Sequence, residues 1–139
     1  MYKNTMLTDR SYDSMYIRFF WRSSLAGVTA LILYLSLVPS PPSDGLGWDK
    51  ANHAVAMALV TFVAYRSAFP SPKALVFGGI YAASLGALVE VLQGTLETGR
   101  SSEWYDLLAD LFGVVTMLLV LMMCRRSSEP WRSSDGGTV

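Results

Sequence analysis

The 139 residues set eleven Lys and Arg against eleven Asp and Glu, for a formal net charge of zero, and 52% are apolar against 16% charged. Mean hydropathy is +0.34, whereas a soluble domain carries about 25% charged residues. These values exclude a soluble domain and a basic nucleic-acid binder, and leave room for one membrane bundle with short tails and no separate catalytic domain.

Spanning a hydrocarbon core of ~30 Å takes roughly 20 mostly apolar residues, and four stretches qualify. A polar head, 1–16, rich in Ser and without periodicity, is expected to be a mobile cytoplasmic tail. The first helix is expected over 17–38, with Arg18 and Arg22 snorkelling at its start and Pro39, Pro41 and Pro42 ending it. Its apolar run is too long for a signal-peptide core and its exit lacks a small-residue cleavage pattern, so it reads as an uncleaved helix. The second helix is expected over 50–69, stopped by Pro70 and Pro72, the third over 74–93 and the fourth over 105–124. The tail, 126–139, is expected to be disordered. Backbone groups in lipid must be satisfied internally, and the segments lack the two-residue alternation of a barrel. The expected fold is therefore all-α, a bundle of four transmembrane helices spanning 17–125.

Basic residues orient the bundle. Lys3, Arg10, Arg18, Arg22, Arg66, Lys73, Arg125, Arg126 and Arg132 fall on one side, and Lys50 and Arg100 on the other. Nine against two places both termini in the cytoplasm. The outer side then holds seven of the eleven acids, Asp44, Asp49, Glu90, Glu97, Glu103, Asp106 and Asp110, together with the single histidine, His53. Trp48, Trp104 and Tyr105 form the outer aromatic belt, and Tyr16, Trp21, Tyr65 and Phe69 the inner one. Cys124 is a lone thiol with no disulfide partner, expected to face lipid or to pack.

Small residues on the third segment repeat every four positions in two ridges, Gly79, Ala83, Ala87 and Gly78, Ala82, Gly86, which would make this helix central. Ionisable groups near helix ends in lipid are costly and turn toward a partner, cavity or ligand. Asp49 and His53 share a face of the second helix, Glu90 and Gln93 one of the third, and Asp106, Asp110, Gly113 and Met117 a stripe of the fourth. Three polar faces at one depth should converge. The loop between the third and fourth helices offers Arg100, whose planar fork suits phosphate or carboxylate. Each residue also has a structural reading. Asp49 serves as an N-cap, Glu90 and Gln93 as interhelical hydrogen-bonding groups, and Arg100 as a surface partner of Glu97 or Glu103.

In the order Asp49-Lys50-Ala51-Asn52-His53, Glu90-Val91-Leu92-Gln93, Gly99-Arg100, then Asp106 with Gly113, the chain resembles the VanZ-like family of small bacterial membrane proteins over 48–113. Asp110 departs from the family, which more often has asparagine before the glycine. The resemblance implies an envelope-linked role in the bacterial cytoplasmic membrane. Resistance to a teicoplanin-type glycopeptide is one form of it, since the founding member is associated with that property.

Two functions fit these residues. In the first, the cluster binds membrane lipid, an anionic lipid or a lipid-linked envelope precursor, with Arg100 gripping phosphate and Glu90, Gln93 and Asp106 shaping the pocket. In the second, a small hydrolase or transferase uses His53 as general base, oriented by Asp49 and aided by Glu90, while Glu90, Asp106 and Asp110 bind Mg²⁺ or Mn²⁺. A third reading is a structural subunit of an envelope complex. No Gly-x-Ser-x-Gly elbow, Walker loop, haem, flavin or dinucleotide signature is present, and nucleic acid is not an expected partner.

Overall fold

The computed structural model describes the backbone of residues 5–38, 46–95 and 104–127, and the side chains of residues 15–38, 50–95 and 104–127. Four helices follow one another, α1 (Thr5–Leu37), α2 (Leu46–Ala68), α3 (Ala74–Thr95) and α4 (Trp104–Ser127). The fold is an all-α bundle. Helix α1 starts twelve residues before the expected position, because no proline or glycine precedes Gly27 to interrupt it. At ~1.5 Å per residue its 33 residues extend for about 50 Å, longer than a hydrocarbon core, and its Met15–Leu37 part is apolar enough to cross one.

Among the described residues three helices are long and apolar enough to cross a membrane, in α1, α3 and α4, rather than the four expected. Helix α2 has the length, 23 residues, but Lys50, Asn52, His53 and Arg66 lower its apolarity. It can carry them because it packs against all three other helices, and its pairing with α4 is the most extensive in the bundle. Met57, Val60, Thr61, Val63, Ala64 and Tyr65 are all buried along it. Helix α3 also touches the other three, but α2 packs more extensively than α3 against both α1 and α4, so the central helix is α2, not α3.

The flanks invert the usual soluble pattern. Phe19, Phe20, Ile80, Phe112 and Met123 are exposed, while Thr61, Ser67, Glu90, Gln93, Asp106 and Asp110 are buried. A surface this apolar around an interior that holds charged and polar groups is that of a multi-pass membrane protein, in which hydrocarbon is the lateral solvent. Exposed Trp104, Tyr105 and Tyr16 mark the two ends as expected of aromatic belts. Tyr65 does not join them, because Ala74 and Leu121 pack over it in a core cluster near the α2–α3 turn. Cys124 is exposed on α4.

Close approach depends on glycine. A Cβ added at Gly113 would run into the Ala54 carbonyl group of α2, and one at Gly78 would lie 3.0 Å from the Thr61 carbonyl oxygen. The buried ridge of α3 is Gly78, Ala82 and Gly86; in the parallel ridge Ala87 is exposed. Between α2 and α3 only five residues intervene, and backbone bonds from Phe69 to Tyr65 and from Ala74 to Ser71 close the turn. So short a link makes these helices antiparallel neighbours. Helix α1 is fastened to α3 by Thr29 Oγ1 and Tyr81 OH, 2.8 Å apart, and by Gln93 Nε2 donating to the Ser36 carbonyl at 3.2 Å.

Candidate functional site

Three polar side chains meet near one end of the bundle. His53 lies seven residues past the start of α2, Glu90 five before the end of α3 and Asp110 six past the start of α4. At ~1.5 Å per residue these positions are about 10, 8 and 9 Å in from the helix ends. They therefore share one level, and ligand atoms from all three lie within 4.8 Å of one another. His53 Nδ1 is 3.0 Å from Asp110 Oδ1, a contact in which the Nδ1–H tautomer of the ring donates to an ionised carboxylate.

Packing holds this level together from behind. Gly113, three residues after Asp110 on the same face, lets α4 approach α2 next to His53. Gly86, one turn before Glu90 on α3, leaves the space into which Asp110 projects, since a Cβ there would come within 2.7 Å of Asp110 Oδ2. Asp110 is only 1% exposed and Glu90 8%. The Oδ2 atom of Asp110 is fully buried and has no hydrogen-bond partner among the described residues. A buried carboxylate oxygen left in this state is costly and calls for a ligand, a proton or water.

A second polar level lies about one turn nearer the helix ends. Lys50 Nζ donates to Asp106 Oδ1 at 3.1 Å, and Asp106 is more buried than Glu90. Lys50 also lies over the Tyr105 ring, 5.6 Å from its centroid. The pair stands over the His53, Glu90 and Asp110 level like a cover on the side of the helix ends.

The expected residues are therefore distributed unevenly. His53, Glu90 and Asp110 come together. Asp106 is engaged by Lys50 and is not in the group that could hold a metal, so the set of Asp106, Asp110 and Glu90 is replaced by one in which His53 stands for Asp106. The reason is helical spacing: Asp106 lies about 6 Å further out than Asp110. Gln93 turns to the α1 backbone rather than to the cluster. The backbone of Asp49 lies within the first turn of α2 rather than before it. The Asp49 side chain and Arg100 fall outside the described residues, so the base-orienting partner seen for His53 is Asp110. Lys50 was not singled out from the sequence, although its three-residue spacing to His53 matches the four-residue spacing of Asp106 to Asp110.

The opposite end is chemically different. Arg66 stacks on Trp21 at 4.9 Å, and Trp21 meets Phe62 edge to face. A groove of about 380 Å³ there is lined by Arg22, Leu25, Ala26, Ser67, Phe77 and Tyr81, none of them part of the acidic cluster. Comparison of the chain with protein families, with characterised proteins and with solved structures finds no match.

Proposed function

We propose that this chain is a VanZ-like protein of the bacterial cytoplasmic membrane, with both termini in the cytoplasm, that binds the anionic headgroup of an envelope lipid or lipid-linked precursor at its outer face. The observation that carries the reading is the two-level polar site among α2, α3 and α4, its deeper level set about 8 to 10 Å inside the helix ends and flanked by exposed Val55, Leu88, Val91, Leu108 and Phe112. A ligand at that depth beside such a surface has to be amphiphilic, polar where it meets the site and apolar where it meets the flanks. The distribution of basic residues supports the orientation, and the order of Asp49, His53, Glu90, Gln93, Arg100, Asp106 and Gly113 supports the family. Glycopeptide resistance is one envelope role compatible with such binding.

A second reading, turnover of a lipid-linked substrate, is favoured by one contact. His53 held by Asp110 at 3.0 Å is a base with an orienting carboxylate, as general base catalysis requires. Native mass spectrometry of the detergent-purified protein beside Lys50→Ala and Arg100→Ala tests the first reading. A phosphate-bearing lipid should be retained by the wild type and lost from the variants, whereas equal retention, or none by the wild type, refutes it.

A further inference from the structure

We infer that His53, Glu90 and Asp110 hold one divalent transition-metal ion, of the Mn²⁺ or Zn²⁺ class, within the membrane-embedded bundle. Three observations point the same way. The three residues come from three different helices, so no local sequence preference accounts for their meeting, and they bring their ligand atoms within 4.8 Å. Ligands about 2.1 Å from a tetrahedral ion stand about 3.4 Å apart, a contraction that small side-chain rotations supply. Asp110 is 1% exposed, and its Oδ2 has no hydrogen-bond partner among the described residues. The space that receives this oxygen exists because residue 86 is glycine.

Charge and donor type select the ion. Two carboxylates and a neutral imidazole carry two negative charges in a region walled by apolar side chains, and a divalent cation brings the total to zero. A protonated His53 would leave one negative charge. An all-oxygen set suits Mg²⁺, but an imidazole among the donors shifts preference toward Mn²⁺ and Zn²⁺. Three protein ligands leave a coordination position open, as sites that engage a further ligand do. That open position gives the ion its second role, bridging to the phosphate of the headgroup, and this role rests on the lipid reading above. It also resolves the electrostatic difficulty in that reading, because Glu90 and Asp110 without a cation would repel a phosphate.

The test uses the full chain, purified in detergent and stripped with chelator, then titrated with Mn²⁺ while the electron paramagnetic resonance signal of the free aqueous ion is followed. The wild type should bind about one ion per chain, Zn²⁺ should displace it, and equal Mg²⁺ should not. Asp110→Asn, which keeps the side-chain shape, and His53→Ala should lose this binding while far-ultraviolet circular dichroism remains unchanged. Absence of stoichiometric Mn²⁺ binding by the wild type, or equal binding by both variants, overturns the ion site. Lipid retention is read in parallel on stripped and reloaded protein. Lipid held by stripped protein overturns the bridging role and leaves the lipid reading standing; metal held without lipid supports the ion site and overturns the lipid reading.

Discussion

The glycines give a graded test of the packing that builds the site. Replacing a helical glycine by alanine gains about 1 kcal/mol of helix propensity wherever the added methyl meets nothing. Gly27 is such a position, with no atom within 4 Å of its added Cβ, so Gly27→Ala should be neutral or stabilising by up to that amount. At Gly79 the methyl would meet Leu118 Cδ1 at 3.0 Å, the far end of a side chain that can rotate, and the gain and the clash should nearly cancel. At Gly113 it meets the backbone of Ala54, whose carbonyl carbon would be only 2.8 Å away. Ordinary carbon contacts are about 3.5 to 4.0 Å, so α2 and α4 must separate by roughly 1 Å along a whole face. Overpacking of this kind costs about 1–3 kcal/mol, and with backbone as the obstacle the upper end applies, for a net loss of about 2 kcal/mol after the propensity gain. Thermal loss of the monodisperse detergent-solubilised peak, read by fluorescence-detected size exclusion, ranks the three variants. The expected order of stability is Gly27→Ala, then Gly79→Ala, then Gly113→Ala. A Gly113→Ala protein as stable as Gly27→Ala would refute the close approach of α2 and α4.

Two other contacts make separate predictions. Lys50→Ala leaves Asp106 buried with no other cation beside it among the described residues, so it should destabilise by about 3 kcal/mol, and adding Asp106→Asn should recover part of the loss; additive effects in a double-mutant cycle on the same thermal assay would show that the 3.1 Å ion pair contributes nothing. Gln93→Leu removes the one described side-chain bond from α3 to the α1 backbone, and should lower stability by about 0.6–1.7 kcal/mol while leaving Mn²⁺ binding unchanged; a loss of ion binding in this variant would place Gln93 in the cluster after all.

Much of this was legible from residue spacing. The α3 and α4 boundaries follow from apolar length and flanking turns, and the stripe of Asp106, Asp110 and Gly113 follows from the helical repeat; all three residues are buried. Helical spacing gives the face of a residue and its depth, but not which of several acids at nearly the same depth will meet a given partner. That is why spacing pairs His53 with Asp49, whose side chain lies outside the described residues, and does not reveal the contact with Asp110 across helices. The small-residue ridge of α3 had the same limit. It marks where a neighbour comes close, and Gly78 and Gly86 do meet α2 and α4, yet it cannot say which helix lies at the centre. Nor does apolarity mark the start of α1, because a helix continues past the hydrocarbon until its own backbone is interrupted.

The feature that weakens α2 as an independent span is the one that qualifies it to carry the site. An isolated helix facing lipid on every side bears the full cost of each ionisable group, and Lys50, His53 and Arg66 would each count against it. In this bundle each of them is answered by another helix: Lys50 by Asp106 of α4, His53 by Asp110 of α4, and Arg66 by the Trp21 ring of α1. Most of the apolar exterior comes from α1, α3 and α4, which supply the three strongly apolar spans. A polar site inside a bundle this small therefore needs a helix that contacts all the others, and close crossings at glycine to bring their side chains within bonding range. The Gly113 contact with Ala54 and the Gly86 contact with Asp110 lie beside the His53, Glu90 and Asp110 level. Packing and chemistry thus depend on the same few residues, so substitutions at these glycines should perturb ion binding and stability together, whereas Asp110→Asn should separate them.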